Sequence, residues 1–262
     1  MLDRSTSPWS RCHAYRSDRR TVERRLSLSL AANARAQDRG RVDFENGAAI
    51  AGYNDVRIPG DTGTMFSLTD DLASDTTYFW RLRVGVRIAP KHVLSALVAP
   101  LTIHAAGTFD QPVAFAGATF APGVPTTGLY VFNSYRVTYR YEPVRRENWM
   151  FGVGVTLKVR DAETRLDAGG TSAAKTNVGI VPLVNFTLER RLGRRATFQI
   201  EGDALAAPQG RAEDIFAGII VHAGKQWSIK AGYRFLEGGA DNDEVYTFAL
   251  VHYLAAGVVV RF

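Results

Sequence analysis

The sequence predicts an all-β fold, an antiparallel up-and-down transmembrane β-barrel of about ten strands, and three observations carry that prediction. From residue 42 to the end, segments recur in which apolar residues alternate with polar or small ones, the period-two signature of strands with two unlike faces. In several segments one face is continuously apolar while the other holds two or three arginines. Both faces cannot be core, whereas a hydrocarbon-facing surface and a lumen accommodate the two. The connections also alternate between longer and shorter, as they do when loops gather at one end of a barrel and tight turns at the other.

The front of the chain stands apart. Of 32 Lys+Arg and 26 Asp+Glu in 262 residues, residues 1–36 hold 8 and 3, so the net +6 is mostly a leader property. The basic excess is thus not on a folded face, and nucleic acid is not expected as a partner. Arg24 and Arg25 precede a short apolar run over 26–32, and Ala34-Arg35-Ala36 supplies small residues around a cleavage point, the order of a signal peptide. A basic tail or a start at Val22 remains the alternative. The domain division is therefore a leader over 1–36 and a barrel over 37–262. The single cysteine, Cys12, falls in the leader, which leaves the barrel without a disulfide framework.

The first strand covers 42–53, and the connection 54–75 contains the turn-forming run Pro59-Gly60-Asp61-Thr62-Gly63. The second, 77–88, sets Tyr78, Trp80, Leu82, Val84, Val86 and Ile88 against Phe79, Arg81, Arg83, Gly85 and Arg87. A tight turn at Pro90-Lys91 leads to the third, 93–104. An uncharged Gly/Pro-rich stretch follows, in which 113–120 suggests a hairpin about Gly117 that either extends the wall or folds inward. The fourth and fifth strands, 129–141 and 149–160, flank a basic turn over 142–147, and a polar linker covers 161–175. The sixth, 177–189, contains Pro182, which is awkward in a paired strand and predicts a bulge. Strands at 197–204, 215–222 and 227–235 follow, joined by a loop over 207–214 and a turn over 223–226. An acidic loop over 237–244 leads to the last strand.

That strand, 246–262, has one parity reading Tyr246, Phe248, Leu250, His252, Leu254, Ala256, Val258, Val260 and Phe262, and another that is mostly small. Ending on an aromatic, it resembles the closing strand of bacterial outer-membrane β-barrels. The resemblance implies a Gram-negative outer membrane as the location, with outer-membrane lipid and lipopolysaccharide as surroundings. It also implies a monomer, and insertion machinery that reads Phe262.

With the apolar faces outward, the lumen carries Arg81, Arg83, Arg87, Arg136, Arg140, Lys158, Arg160, Lys230 and Arg234, with Glu189, Glu201 and Asp203 as acids. Buried charges must pair or keep water, so an ion network holding the barrel together is expected. An anion-selective, porin-like passage is the sharper alternative, because bases outnumber acids. Lumen glycines Gly85, Gly152, Gly154, Gly179 and Gly232 are read as room for long arginines. The small-barrel resemblance also brings in omptin-like proteases and lipid A modifying hydrolases, whose chemistry sits at the outer rim. The candidates are Asp70, Asp71 and His104, with Asp110, Asp241 and Asp243 near them in the loops. An acidic pair can activate water beside a histidine base, but loop aspartates are usually turn formers. A soluble lipocalin-like barrel is the remaining alternative. His222 and His252 lack metal-type partners by spacing, and no Gly-rich nucleotide loop precedes a helix, so neither metal nor cofactor is expected.

Overall fold

A computed structural model describes residues 39–208 and 210–262; the leader expected over 1–36 lies outside the described residues. The strands in chain order are β1 (Gly40–Arg57), β2 (Phe66–Ser67), β3 (Leu72–Ser74), β4 (Thr77–Ala89), β5 (His92–Ala99), β6 (Thr102–Thr108), β7 (Val113–Phe115) and β8 (Ala118–Phe120). They continue as β9 (Pro125–Arg145), β10 (Trp149–Ala168), β11 (Thr171–Arg191), β12 (Ala196–Ala207), β13 (Gly210–His222), β14 (Trp227–Asp241) and β15 (Tyr246–Arg261). The wall is a closed antiparallel barrel of 10 strands. Two wall strands are composite. β3 lies beside β6 as β4 lies beside β5, and Pro100 separates β5 from β6 without shifting their common register on β9.

Closure joins the two chain-distal strands. β1 pairs β15 from Arg41↔Arg261 to Arg57↔Tyr246, with one irregularity at Gly52. Beyond the ladder the Gly40 and Phe262 amides donate to each other's carbonyls at 2.7 and 3.0 Å. The Phe262 ring covers Gly40, where a Cβ would come within 2.4 Å of it.

Outward parities form an apolar belt. Ile180 is 73% exposed and Leu254 62%, values that suit hydrocarbon contact and not water. From Trp227, near the turn end, β14 shows no charge outward until Glu237. Ten rises on a strand tilted as such barrels require climb about 25 Å, the height of a lipid-facing band. Polar pairs mark the upper border: Tyr53 Oη donates to Glu237 at 2.6 Å beside Arg211, and Asn133 donates to Asp161 at 3.1 Å. The outward histidines His92 and His252 are hydrogen-bonded through Nδ1 to Tyr139 and Tyr233 at 2.6 and 2.5 Å, so one ring nitrogen of each has a partner on the outward face.

Three expectations change. The polar stretch 161–175 is not a linker: β10 and β11 continue through it to a two-residue turn at Gly169-Gly170, both with positive φ, the conformation a tight hairpin demands. Pro182 makes no bulge, since β10 and β11 stay in register through Leu157↔Pro182. Pairing to β12 begins only at Val184, so the proline interrupts no ladder on that side. The 207–214 loop likewise shrinks, because β12 and β13 remain paired up to Ala207↔Gly210.

The loop end is closed by an apolar plug. Phe66, Leu68, Leu72, Phe109, Val113, Phe115 and Phe120 are each 3% exposed or less. Phe66 meets the Phe109 and Phe115 rings edge-on at 5.6 and 5.5 Å, a favoured aromatic arrangement. β7 and β8 form the hairpin the sequence suggests, turning at Ala116 (φ 47°) and Gly117 (φ 83°). It folds onto the plug, not upward as wall. Thr64 N donates to the Ala114 carbonyl and Ala116 N to that of Ile58, both at 2.9 Å.

Candidate functional site

Below the plug the lumen holds two contrasting regions, a closed ionic belt at mid-height and an open basic vestibule at the turn end. Inward parity places the side chains of both.

In the belt, Asp214 accepts from three arginines, Arg81 at 2.8 Å, Arg136 at 2.5 Å and Arg234 at 2.6 Å. Arg136 also reaches Asp203 at 2.7 Å, which takes further bonds from Thr156 and Asn185. Arg234 forks onto Glu45 at 2.7 and 3.0 Å, and Lys230 bridges Glu45 and Asp43 at 2.7 and 2.8 Å. Arg83 completes the belt through Glu201 at 2.8 Å. Every one of these carboxylates is under 5% exposed. The Phe216 ring lies beneath Lys230 and Arg234, at 4.8 and 5.2 Å from their charged groups. It fits there because a Cβ on Gly218 or Gly232 would come within 3 Å of the ring. Gly232 therefore accommodates Phe216 in place of an arginine, whereas Gly152 does lie under the Arg140 stem.

Lys158 is the exception in this belt. It is 4% exposed and sits 4.5 Å over the Phe132 ring, with no carboxylate in salt-bridge range among the described residues. A cation–π contact offsets part of that burial.

The vestibule is a cavity of about 310 Å³ whose lining includes ten Arg or Lys side chains against four glutamates. Glu142, 1% exposed, is shared by Arg87, Arg140 and Arg145 at 2.9, 3.3 and 3.1 Å. Arg41 lies 2.7 Å from Asp43 and 3.7 Å from Glu189. His222 is held by Thr197 at 3.0 Å and Ser228 at 2.9 Å. Arg39, Arg146, Arg191 and Lys225 line the cavity without a salt bridge among the described residues.

The expected lumen residues thus divide. Arg81, Arg83, Arg136, Lys158, Glu201, Asp203, Lys230 and Arg234 lie in or against the belt, Arg87, Arg140 and Glu189 line the vestibule, and Arg160 sits above the belt bonded to Asn177. Sequence reasoning omits Asp43, Glu45 and Asp214, which bring the belt close to charge balance, and Arg41 and Glu142 at the vestibule. The basic excess that suggested an anion passage is therefore concentrated at the turn end and not along the lumen. The rim candidates do not converge. Asp71 accepts from the Ser67 amide at 2.7 Å within its own turn, and Asp70 is exposed beside it. His104 is exposed between the buried Ile103 and Ala105, hence outward-facing. Asp75, whose amide donates to the His104 carbonyl at 2.8 Å, separates it from Asp71 by about four rises, roughly 13 Å. Among the described residues no His, Asp or Glu group is placed to hold a metal ion.

No family model matches the sequence, and neither does any curated protein. Among solved structures, the outer membrane protease OmpT of Escherichia coli aligns with a TM-score of 0.52 at 9% identity, over 86% of this chain and 97% of that one. The fold is that of an outer-membrane β-barrel. Ail, the attachment invasion locus protein of Yersinia pestis, aligns at TM-score 0.40 and 11% identity over 84% and 99% of the two chains. Neisserial surface protein A aligns at 0.34 and 14% over 85% and 97%. Similarity at these identities carries the fold and no activity.

Proposed function

We propose that this chain is a monomeric barrel of a Gram-negative outer membrane whose lumen is occluded, serving a structural or binding role and not acting as an open pore. In that setting its outer face meets lipid and lipopolysaccharide, and Phe262 forms part of the signal read by the insertion machinery. The observation that carries the reading is the belt, where Asp214 gathers three arginines across the lumen at 2.5–2.8 Å beneath an apolar plug. A conducting pore needs a continuous polar path, and the buried aromatic and aliphatic plug residues at the loop end weigh against one. Recording in planar bilayers tests this. The expected result is no discrete conductance steps, and steady ohmic steps from the purified, folded barrel would refute it. Detergent-dependent extraction and a heat-modifiable gel shift check the membrane assignment separately, and a soluble monomer would return the lipocalin-like alternative.

The rim-enzyme alternative draws on the OmpT likeness, since that protein is a protease. It has less support, because Asp70, Asp71 and His104 occupy a turn and an outward face and do not share a cleft.

A further inference from the structure

The belt comes close to balancing its charges, but the vestibule gathers more cations than its carboxylates can pair. Its lining holds ten cationic side chains to four carboxylates, and the buried Glu142 is divided among three arginines. Arg140 is left with a buried Nε that has no hydrogen-bond partner. Toward the opening, Arg39, Arg146, Arg191 and Lys225 add four charges with no bridging carboxylate among the described residues. Scattered on a convex surface such side chains would simply be solvated. Gathered around a concavity with low-dielectric barrel walls, they focus a positive potential into it. The belt lies above the cavity, and among the described residues its lining gathers at the turn end.

The dimensions and donors select the ligand. A volume of about 310 Å³ lies at the small end of ligand sites, too small for a folded partner. Arginine forks match the planar or tetrahedral oxygens of carboxylates and phosphates. A monocarboxylate would engage one such fork and leave the other cations as they were. An anion with two or more charges and three or more acceptor oxygens on one centre uses several together, and a phosphate group has that form.

We propose that the turn-end vestibule is a binding site for a small phosphate-bearing anion of at least two negative charges, reached from the side of the membrane that the turns face. This rests on the barrel reading above but not on the lumen being non-conducting. The ligand is held by arginines from opposite walls, with Arg146 of the β9–β10 turn and Arg191 of β11 at the entrance.

Calorimetric titration of the folded barrel with pyrophosphate tests the site, with a heat-modifiable gel shift showing that each sample is folded. The expected result is saturable one-site binding at low salt that weakens steeply as salt rises. The double variant R146Q/R191Q should raise the dissociation constant about tenfold or more, while Lys175→Gln at the loop end leaves it unchanged. Repeating the titration in phosphatidylcholine and in phosphatidylglycerol nanodiscs separates the two sources of phosphate. Competition by phosphatidylglycerol identifies a lipid headgroup as the occupant, and equal affinity in both identifies a soluble solute. Absence of saturable binding at millimolar pyrophosphate in low salt overturns the proposal, as does binding that R146Q/R191Q does not weaken. Conductance recorded on the same preparation tests the occluded-lumen reading independently.

Discussion

Replacing Asp214 by asparagine probes the belt at its most connected point. Asp214 is 2% exposed and bridges Arg81, Arg136 and Arg234. Arg136 retains Asp203, and Arg234 retains Glu45 and Glu201, so these two lose one partner among several. Arg81 has no other salt bridge among the described residues, and at 5% exposure it becomes a buried cation without a counter-charge. Removing one member of a buried pair costs about 3–5 kcal/mol, or two to nearly four decades in the folding equilibrium. The neutral amide still accepts a hydrogen bond, which places the expected loss toward the lower end, near 3 kcal/mol. Equilibrium urea unfolding in lipid vesicles, followed by tryptophan fluorescence, measures it, with the gel shift as a second probe of folded fraction. The double variant R81M/D214N should regain more than about 1 kcal/mol of that loss, because the orphaned cation is gone. A cost for Asp214→Asn below about 1 kcal/mol, the value of a solvated surface pair, would mean that water fills the belt, and the occlusion argument would fail with it.

Lys158→Met should be neutral or stabilising in the same unfolding assay, since it removes a buried cation that has an aromatic face but no carboxylate and leaves an apolar chain of similar length; a loss above about 1 kcal/mol would reveal an anionic or hydrated partner. Gly232→Ala should destabilise by about 1–3 kcal/mol, because the new Cβ would stand 2.4 Å from the Ala217 carbonyl oxygen and 2.6 Å from the Gly218 Cα, and an unchanged unfolding midpoint would show that the β13–β14 contact is looser than drawn. Phe262→Ala should slow assembly by the insertion machinery in vesicles more than it lowers equilibrium stability, and equal assembly rates would remove the terminal ring from the insertion signal.

Period-two alternation made the wall legible because lipid and lumen demand opposite side chains at successive positions, as in Tyr78 to Ile88 against Arg81, Arg83 and Arg87. The same logic fades beyond the apolar belt. In 161–175 only Thr164 and Leu166 are buried, so the pairs Glu163–Arg165 and Asn133–Asp161 read as linker composition even though the ladder continues. Asp214 reads as loop composition beside Arg211 and Glu213, yet it is buried inside a paired strand and completes the belt. Asp43 and Glu45 alternate with Val42 and Phe44, so their inward parity is written in the sequence of the first strand. The plug was half legible: Gly117 marks the hairpin, while the inward fold depends on Phe66, Leu68 and Leu72 in a distant segment of mixed polarity. The vestibule is not written in any one stretch, since Glu142, Glu189, Lys225 and the arginines around them come together only when turns from separate hairpins share one end.

The seam between β1 and β15 ties assembly to electrostatics. Glu45 of the first strand and Arg234 of the penultimate one are 189 residues apart in sequence, and β15 must pair with both neighbours before the two side chains can meet across the lumen. Until then the acids of β1 and the cations of β14 face each other's absence, on a sheet whose open edges offer no low-dielectric enclosure for them. Closing the wall and neutralising the lumen are therefore one cooperative event with a large loop-closure cost, and a rate set by topology as much as by stability. The ion pairs of Glu45 with Lys230 and Arg234 therefore belong to the closed wall, where β15 holds β1 and β14 on its two edges.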